Sequence, residues 1–278
     1  MKPDLQPRAK ITRRHAFTVR ELLVVIVTLA LLAVTVLPAL FRSSDRVLRA
    51  RCVSNLRQLG VALQTYANEA NDFMPICKYR DTNPTQYTYE VARAESGNMQ
   101  ITQGYMNLGL LTRTRNMSEP QLLYCPAQRS SPFTYEYYVS ATNGWFLSPQ
   151  GDSMVRAGYN YFPQLQATQQ VSANLFLPRV TMTTVTLEFG SLGSTALQPM
   201  RFHELNLQKS IVTDLVHNAG IVAHRDRGTV AGVNALFPDG RVKFQSAHAN
   251  PANFSPVLWG NISTDGLAFR QVMNGWKP

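Results

Sequence analysis

FTVRELLVVIVTLALLAVTVLPALF, residues 17–41, is the stretch that decides the fold, because its last twenty positions, 22–41, carry no charge. At about 1.5 Å rise per residue those twenty positions reach about 30 Å, the hydrocarbon thickness of a bilayer. A buried core helix rarely runs so long without a polar position, and a cleaved secretory signal has a shorter apolar region ending in small residues. The segment therefore reads as a membrane-spanning helix. Glu21 stands at its lip, where a carboxylate must stay at the interface, become neutral or find a cation. Pro38 lies inside the run and predicts a kink, since proline removes a backbone donor and crowds the preceding turn.

The helical pattern continues beyond the apolar run. Leu48, Cys52, Leu56, Leu59, Leu63 and Tyr66 follow at steps of three or four, one apolar stripe, with Arg46, Arg49, Arg57 and Glu69 off it. The spacing predicts one helix from about Glu21 to Asn68, apolar all round in its first half and amphipathic in its second. Asn71, Asp72 and Pro75 end it.

The chain has 278 residues, 45% of them hydrophobic and 16% charged, which suits a membrane-attached or secreted protein. Its net charge of +10 invites a nucleic-acid reading. The basic residues cluster, however, on either side of the apolar run: Lys2, Arg8, Lys10, Arg13 and Arg14 before it, and Arg42, Arg46, Arg49, Arg51 and Arg57 after it. Membrane topology and lipid headgroups account for that arrangement, and no specific nucleic-acid partner is expected.

RRHA followed by FTVRE resembles the N-terminal signature of type IV prepilins and type II secretion pseudopilins: a basic leader, Phe-Thr, a Glu at the fifth mature position, then about twenty apolar residues. The resemblance implies a leader over residues 1–16, cleavage between Ala16 and Phe17 by a prepilin peptidase, and N-methylation of Phe17. It makes Glu21 the assembly residue, a carboxylate that neutralises the new amine of an adjacent subunit where unpaired charge is costly. Ala16 replaces the commoner Gly, and Arg20 stands where the family is usually apolar. Residues 52–75, CVSNLRQLGVALQTYANEANDFMP, are similar to a block in planctomycete-type prepilin-like proteins, whose C-terminal domain carries a His-x9-Asp-Gly motif. HRDRGTVAGVNALFPDGRVKF, residues 224–244, matches that motif in Asn234, Leu236, Phe237, Asp239, Gly240 and Val242. It departs in placing fourteen residues between His224 and Asp239. Tyr124-Cys125-Pro126 is similar to the family's Cys-Pro dipeptide. A Cys52–Cys125 disulfide follows from the occurrence of both in these blocks. Cys77–Cys125 is the alternative, and Cys52 also reads as a small buried hydrophobe on the stripe.

Residues 78–179 lack a long periodic run and read as loops and short strands. Phe133 with Tyr135, Tyr137 and Tyr138 suggests a half-buried strand rather than an aromatic platform. Residues 180–189, VTMTTVTLEF, read as a strand by β-branched content, and residues 230–237 and 241–245 as a hairpin. Its Pro238-Asp239-Gly240 turn needs Gly240 for positive φ and Asp239 to hold its own backbone, a structural role. The histidines stand in no metal-ligand spacing, there is no Cys-x-x-Cys, and no nucleophile elbow, P-loop or dinucleotide fingerprint occurs. No catalytic residue, metal or cofactor is expected.

The expected fold class is α+β: a leader over 1–16, a long pilin-like helix over 17–70 with a transmembrane part over 22–41, and an extracytoplasmic domain over 71–278 built on an antiparallel β-sheet. The expected function is that of a structural subunit, not an enzyme, assembled through its N-terminal helix into a pilus or pseudopilus. The resemblance puts it in the bacterial inner membrane with its C-terminal domain outside the cytoplasm. Its partners there are the prepilin peptidase, other pilin or pseudopilin subunits, the assembly machinery and the lipid bilayer. The alternative is a membrane-tethered binding module that uses the signature only for export and processing.

Overall fold

The computed structural model describes residues 18–75, 88–93, 105–140, 144–145, 154–163, 200–226 and 228–278, with 35–44 given as helical backbone only. The leader, the Ala16–Phe17 junction, Cys77 and the expected strand over 180–189 lie outside the described residues.

Helix α1 (Val19–Glu69) runs unbroken for 51 residues. Thr18 caps it: its N–H and hydroxyl donate to Glu21 Oε2 at 2.8 and 2.9 Å, and the Glu21 N–H donates back to the Thr18 hydroxyl at 3.3 Å. This reciprocal pair satisfies donors that a helix start otherwise leaves open. The expected bend at Pro38 falls among the positions given as backbone only. At the other end, Asn71 and Asp72 take φ of +53° and +71°. The Asp72 N–H closes on the Ala67 carbonyl at 2.7 Å, a left-handed stop made by Asn and Asp where glycine is commoner.

The chain divides into two compact units, Met1–Arg46 and Val47–Pro278. In the first, every described side chain of α1 from Val19 to Val34 is exposed, Leu22 at 58% and Val34 at 73% among them. Among the described residues no helix is long and apolar enough to cross a membrane; the expected span over 22–41 is described with its side chains only as far as Val34. The globular unit begins within α1 rather than after residue 70, because the amphipathic stripe belongs to its core. Cys52, Leu56, Leu59 and Leu63 are fully buried, and Leu48 and Tyr66 pack on the same cluster. Arg49 lies off the stripe yet is half-buried, its guanidinium 3.9 Å above the ring of Phe244.

This unit is α+β with an antiparallel sheet. Short elements come first: β1 (Glu90–Arg93), α2 (Gly109–Arg113), β2 (Val139–Ser140), β3 (Gly144–Trp145) and β4 (Met154–Arg156), with β1 paired to β4 and β2 to β3. Among the described residues the main sheet has five strands, β5 (Tyr159–Tyr161), β6 (Val212–Asp214), β7 (His224–Asp226), β8 (Thr229–Leu236) and β9 (Val242–Ser246). The long strand β8 organises it. Leu236 pairs with Val212 of β6 and with Val242 of β9, while Gly232 pairs with His224 of β7 and with Ser246 of β9. Strands β6 and β7 therefore lie end to end along one edge of β8, and β9 occupies the other. Strand β5 continues the sheet beyond β6.

Alternation divides the sheet between two layers. Leu236 faces the stripe of α1, where a Cβ on Gly60 would stand 3.2 Å from it. On the opposite face Thr213 donates to the sulfur of Met273 in α4 (Gly266–Asn274). That helix packs beside α3 (Pro256–Asn261), with Trp259 and Trp276 buried among them. The β8–β9 hairpin turns as expected: Gly240 has φ +81°, and Asp239 Oδ1 accepts from the Arg241 N–H at 3.0 Å.

One local expectation is corrected. Tyr135–Tyr138 form a 3₁₀ turn, not a strand, with Tyr138 buried against Tyr124 and Tyr137 half-exposed. Tyr135 and Tyr138 pack on Tyr124, Tyr137 packs on Tyr138, and Phe133 turns instead to Tyr89 and His217, so the four rings do not alternate across a sheet. His203 and Glu204 sit in another 3₁₀ turn, Phe202–Glu204.

The stripe yields a direct contrast. Leu59→Ala should lower unfolding stability by about 2–5 kcal/mol, the cost of a core cavity. Val61→Ala, two residues away on the exposed face, should change it by about 0.5 kcal/mol or less. Thermal unfolding of the two variants measures both, and equal losses would contradict the assigned helix face.

Candidate functional site

The meeting point of β6 and β7 leaves a gap in the ladder along β8. Even-numbered residues of β8 turn their backbone groups to this edge, as the Leu236 carbonyl shows by accepting from the Ile211 N–H at 2.8 Å. At Asn234 no strand takes the N–H. Instead the carboxylate of Asp214, the last residue of β6, accepts it through Oδ2 at 2.5 Å. A buried backbone donor needs a partner, and here a side chain stands in for a strand.

The same oxygen collects further contacts. Asn234 Nδ2 donates to it at 2.8 Å, and His224 Nε2 lies 3.2 Å away. Asn234 Nδ2 and His224 Nε2 are themselves 2.9 Å apart. The two amide protons of Asn234 can serve both neighbours, which requires His224 to carry its own proton on Nδ1 and turn the Nε2 lone pair inward. Beyond the imidazole is Cys125, its sulfur 3.8 Å from Nε2. Cys125 is bonded to Cys52 of α1 with 5.1 Å between Cα atoms.

A bulge aims the histidine. The β7–β8 register slips between His224 and Arg225, so His224 points into the core while Arg225 and Asp226 are exposed. Gly232, opposite His224, has φ +155°, and a Cβ there would stand 2.2 Å from the Gln245 carbonyl and 2.7 Å from the ring of Phe244. Only glycine fits. Phe244 in turn meets His224 edge to face at 6.0 Å.

Tyr159 completes the cluster from β5, where it pairs with Asp214. Burial first, and the Asp214 carboxylate second, push its phenol well above the ordinary value, while the Asn55 side chain pulls slightly the other way. Among the described residues, Asp214 Oδ1 and Asn234 Oδ1 are buried without a hydrogen-bond partner. Such groups are costly and uncommon in native interiors. The neighbouring Asn160 shows the satisfied case: it accepts from the Val216 N–H at 2.5 Å and donates to the Thr88 hydroxyl at 2.7 Å.

Outside this cluster a groove of about 530 Å³ opens between α1 and the segment after α2. Arg51, Asn55, Tyr124, Tyr135 and Glu136 line it, and it reaches Cys125.

Sequence reading singled out Cys52, Cys125 and Asn234, and the structure brings all three to one place. Asp239 and Gly240 are at the hairpin tip, and Glu21 caps its own helix. His203 pairs with Asp72, while His248 is exposed. Asp214 and Tyr159 escaped sequence reading, since each stands alone in a short strand with no spacing to mark it. Only the Asn234 match pointed near them. No known protein family matches this chain, and neither a curated protein nor a solved structure does.

Two measurements follow. Asn234→Ala removes the amide that donates to Asp214 and should cost about 2–3 kcal/mol in denaturant unfolding. His217 lies between Tyr89 and Phe133, where burial first and Arg156 second hold its imidazole below the usual 6.5. The unfolded chain takes up that proton near pH 6.5 and the folded chain resists it. Stability from this position is thus full above about pH 6.5 and lost as pH falls through the lower folded value. His217→Gln should flatten that part of the stability–pH curve.

Proposed function

We propose that this chain is a prepilin-like structural subunit, anchored and assembled through the N-terminal half of α1, with the α+β unit carried on the other half. The observation that supports it best is that one helix has two opposite surfaces. From Val19 to Val34 its described side chains are exposed and almost all apolar, and from Cys52 to Leu63 its stripe is fully buried. Water does not favour so large an apolar surface on a monomer; lipid or neighbouring helices of the same kind cover it. The resemblance of RRHA-FTVRE to a prepilin processing site supplies the route: removal of residues 1–16, methylation of Phe17, and insertion with the α+β unit outside the cytoplasm. The Cys52–Cys125 disulfide agrees with an oxidising compartment.

Glu21 carries two roles in this reading. Within one chain it closes the capping pair with Thr18. Between chains its carboxylate receives the amine of a neighbour's Phe17. The two roles separate by substitution, because glutamine also serves at this capping position but brings no charge. Glu21→Gln and Glu21→Ala should both leave leader removal intact and both abolish assembly, scored by mass of the mature N-terminus and by sheared or sedimented polymer. Assembly that survives in Glu21→Gln but fails in Glu21→Ala would assign Glu21 to capping alone. An intact Met1 in the membrane-bound chain would remove the processing claim.

A further inference from the structure

We infer that Cys52, Cys125, His224 and Asp214 form a redox-gated site for a thiophilic divalent metal ion of the zinc class, closed as the disulfide and opened when that bond is reduced. The four residues come from α1, the segment before β2, β7 and β6, and one ligand atom from each lies within 4.8 Å of the others, all buried. Tetrahedral zinc holds sulfur at about 2.3 Å and nitrogen or oxygen at about 2.0–2.1 Å, so its ligands stand roughly 3.3–3.8 Å apart. His224 Nε2 is already 3.8 Å from the Cys125 sulfur and 3.2 Å from Asp214 Oδ2. The Cα separation of 5.1 Å between the cysteines lets their side chains swing from bonded to co-ligating with little backbone movement.

The second observation is the unmet polarity. Asp214 and Asn234 are fully buried, yet among the described residues Asp214 Oδ1 and Asn234 Oδ1 find no donor. Among the described residues, His224 is the basic group within ion-pair distance of Asp214. A cation at the centroid would supply the missing positive charge. The surrounding shell is also in place: the Asn234 N–H and amide hold Asp214 Oδ2, and the bulge at Gly232 aims His224, the kind of outer support that metal ligands need. The groove reaches Cys125, one end of the bond to be reduced.

The step balances with a dithiol as co-reactant. The dithiol passes two electrons and two protons to the Cys52–Cys125 bond, giving two thiols and the oxidised dithiol. Metal binding then displaces one proton from each thiol; His224 Nε2 exchanges the Asn234 amide proton for the metal, and an Asp214 oxygen fills the last position. The inference does not depend on the role proposed for the N-terminal half of α1.

The test uses the full chain in detergent micelles with Cys77→Ser, so that only the two site thiols remain, reduced by a phosphine under argon and titrated with Co²⁺ and then Zn²⁺. The reduced chain should take up one Co²⁺ with a thiolate-to-cobalt absorption band and tetrahedral visible bands, and Zn²⁺ should displace it. The oxidised chain should bind at least tenfold more weakly and show no thiolate band. In the reduced chain, His224→Gln and Asp214→Asn should each weaken Co²⁺ binding at least tenfold. If reduction loosens the fold, shown by loss of near-ultraviolet dichroism, Zn²⁺ should restore it. Three results would each overturn the inference: no thiolate band in the reduced chain, equal affinity in the oxidised chain, or unchanged affinity in His224→Gln. The last would mean that two unstructured thiols bind the metal by themselves.

Discussion

The sulfur bond between Cys52 and Cys125 is the constraint on which this molecule turns, because it ties the buried stripe of α1 to the middle of the chain at the point where the main sheet has a gap. With a separation of 73 residues between the two cysteines, closing the loop removes conformational freedom from the unfolded chain worth about 4 kcal/mol in the chain-entropy picture. The bond is also a local wall. Its sulfurs stand within 4.8 Å of the Asp214 and His224 ligand atoms, between those two residues and α1.

The gap itself is a compromise between ladder and site. A continuous strand along that edge of β8 would satisfy every backbone donor and leave no room for the carboxylate. By ending β6 at Asp214 and starting β7 at His224, the chain brings an acid, a base and an amide to one spot. It accepts, among the described residues, two unpartnered oxygens, Asp214 Oδ1 and Asn234 Oδ1, in return. Local strain and unmet polarity of this kind concentrate where a protein interacts with something else.

The helix was legible in the sequence because its signal is periodic and long: the stripe from Leu48 to Tyr66 names its buried face, and the Asn71-Asp72 stop names its end. The β8–β9 hairpin was legible because Pro238-Asp239-Gly240 carries turn chemistry of its own. The 3₁₀ turn at Tyr135–Tyr138 was not, since closely spaced aromatics obey no single period when they gather around one ring, here Tyr124. The polar cluster was half visible. Cysteine and asparagine matches marked two of its corners, but Asp214 and Tyr159 are placed by strand pairing between segments far apart in sequence, and no spacing rule foretells that.

The disulfide also gives the chain a topology that outlasts its backbone. Residues 52–125 form a closed covalent ring, and everything beyond it hangs from the same knot. A protease that severs one peptide bond within that ring opens a circle without freeing either half, so the long helix and the sheet would travel on as one molecule until a reductant parted them.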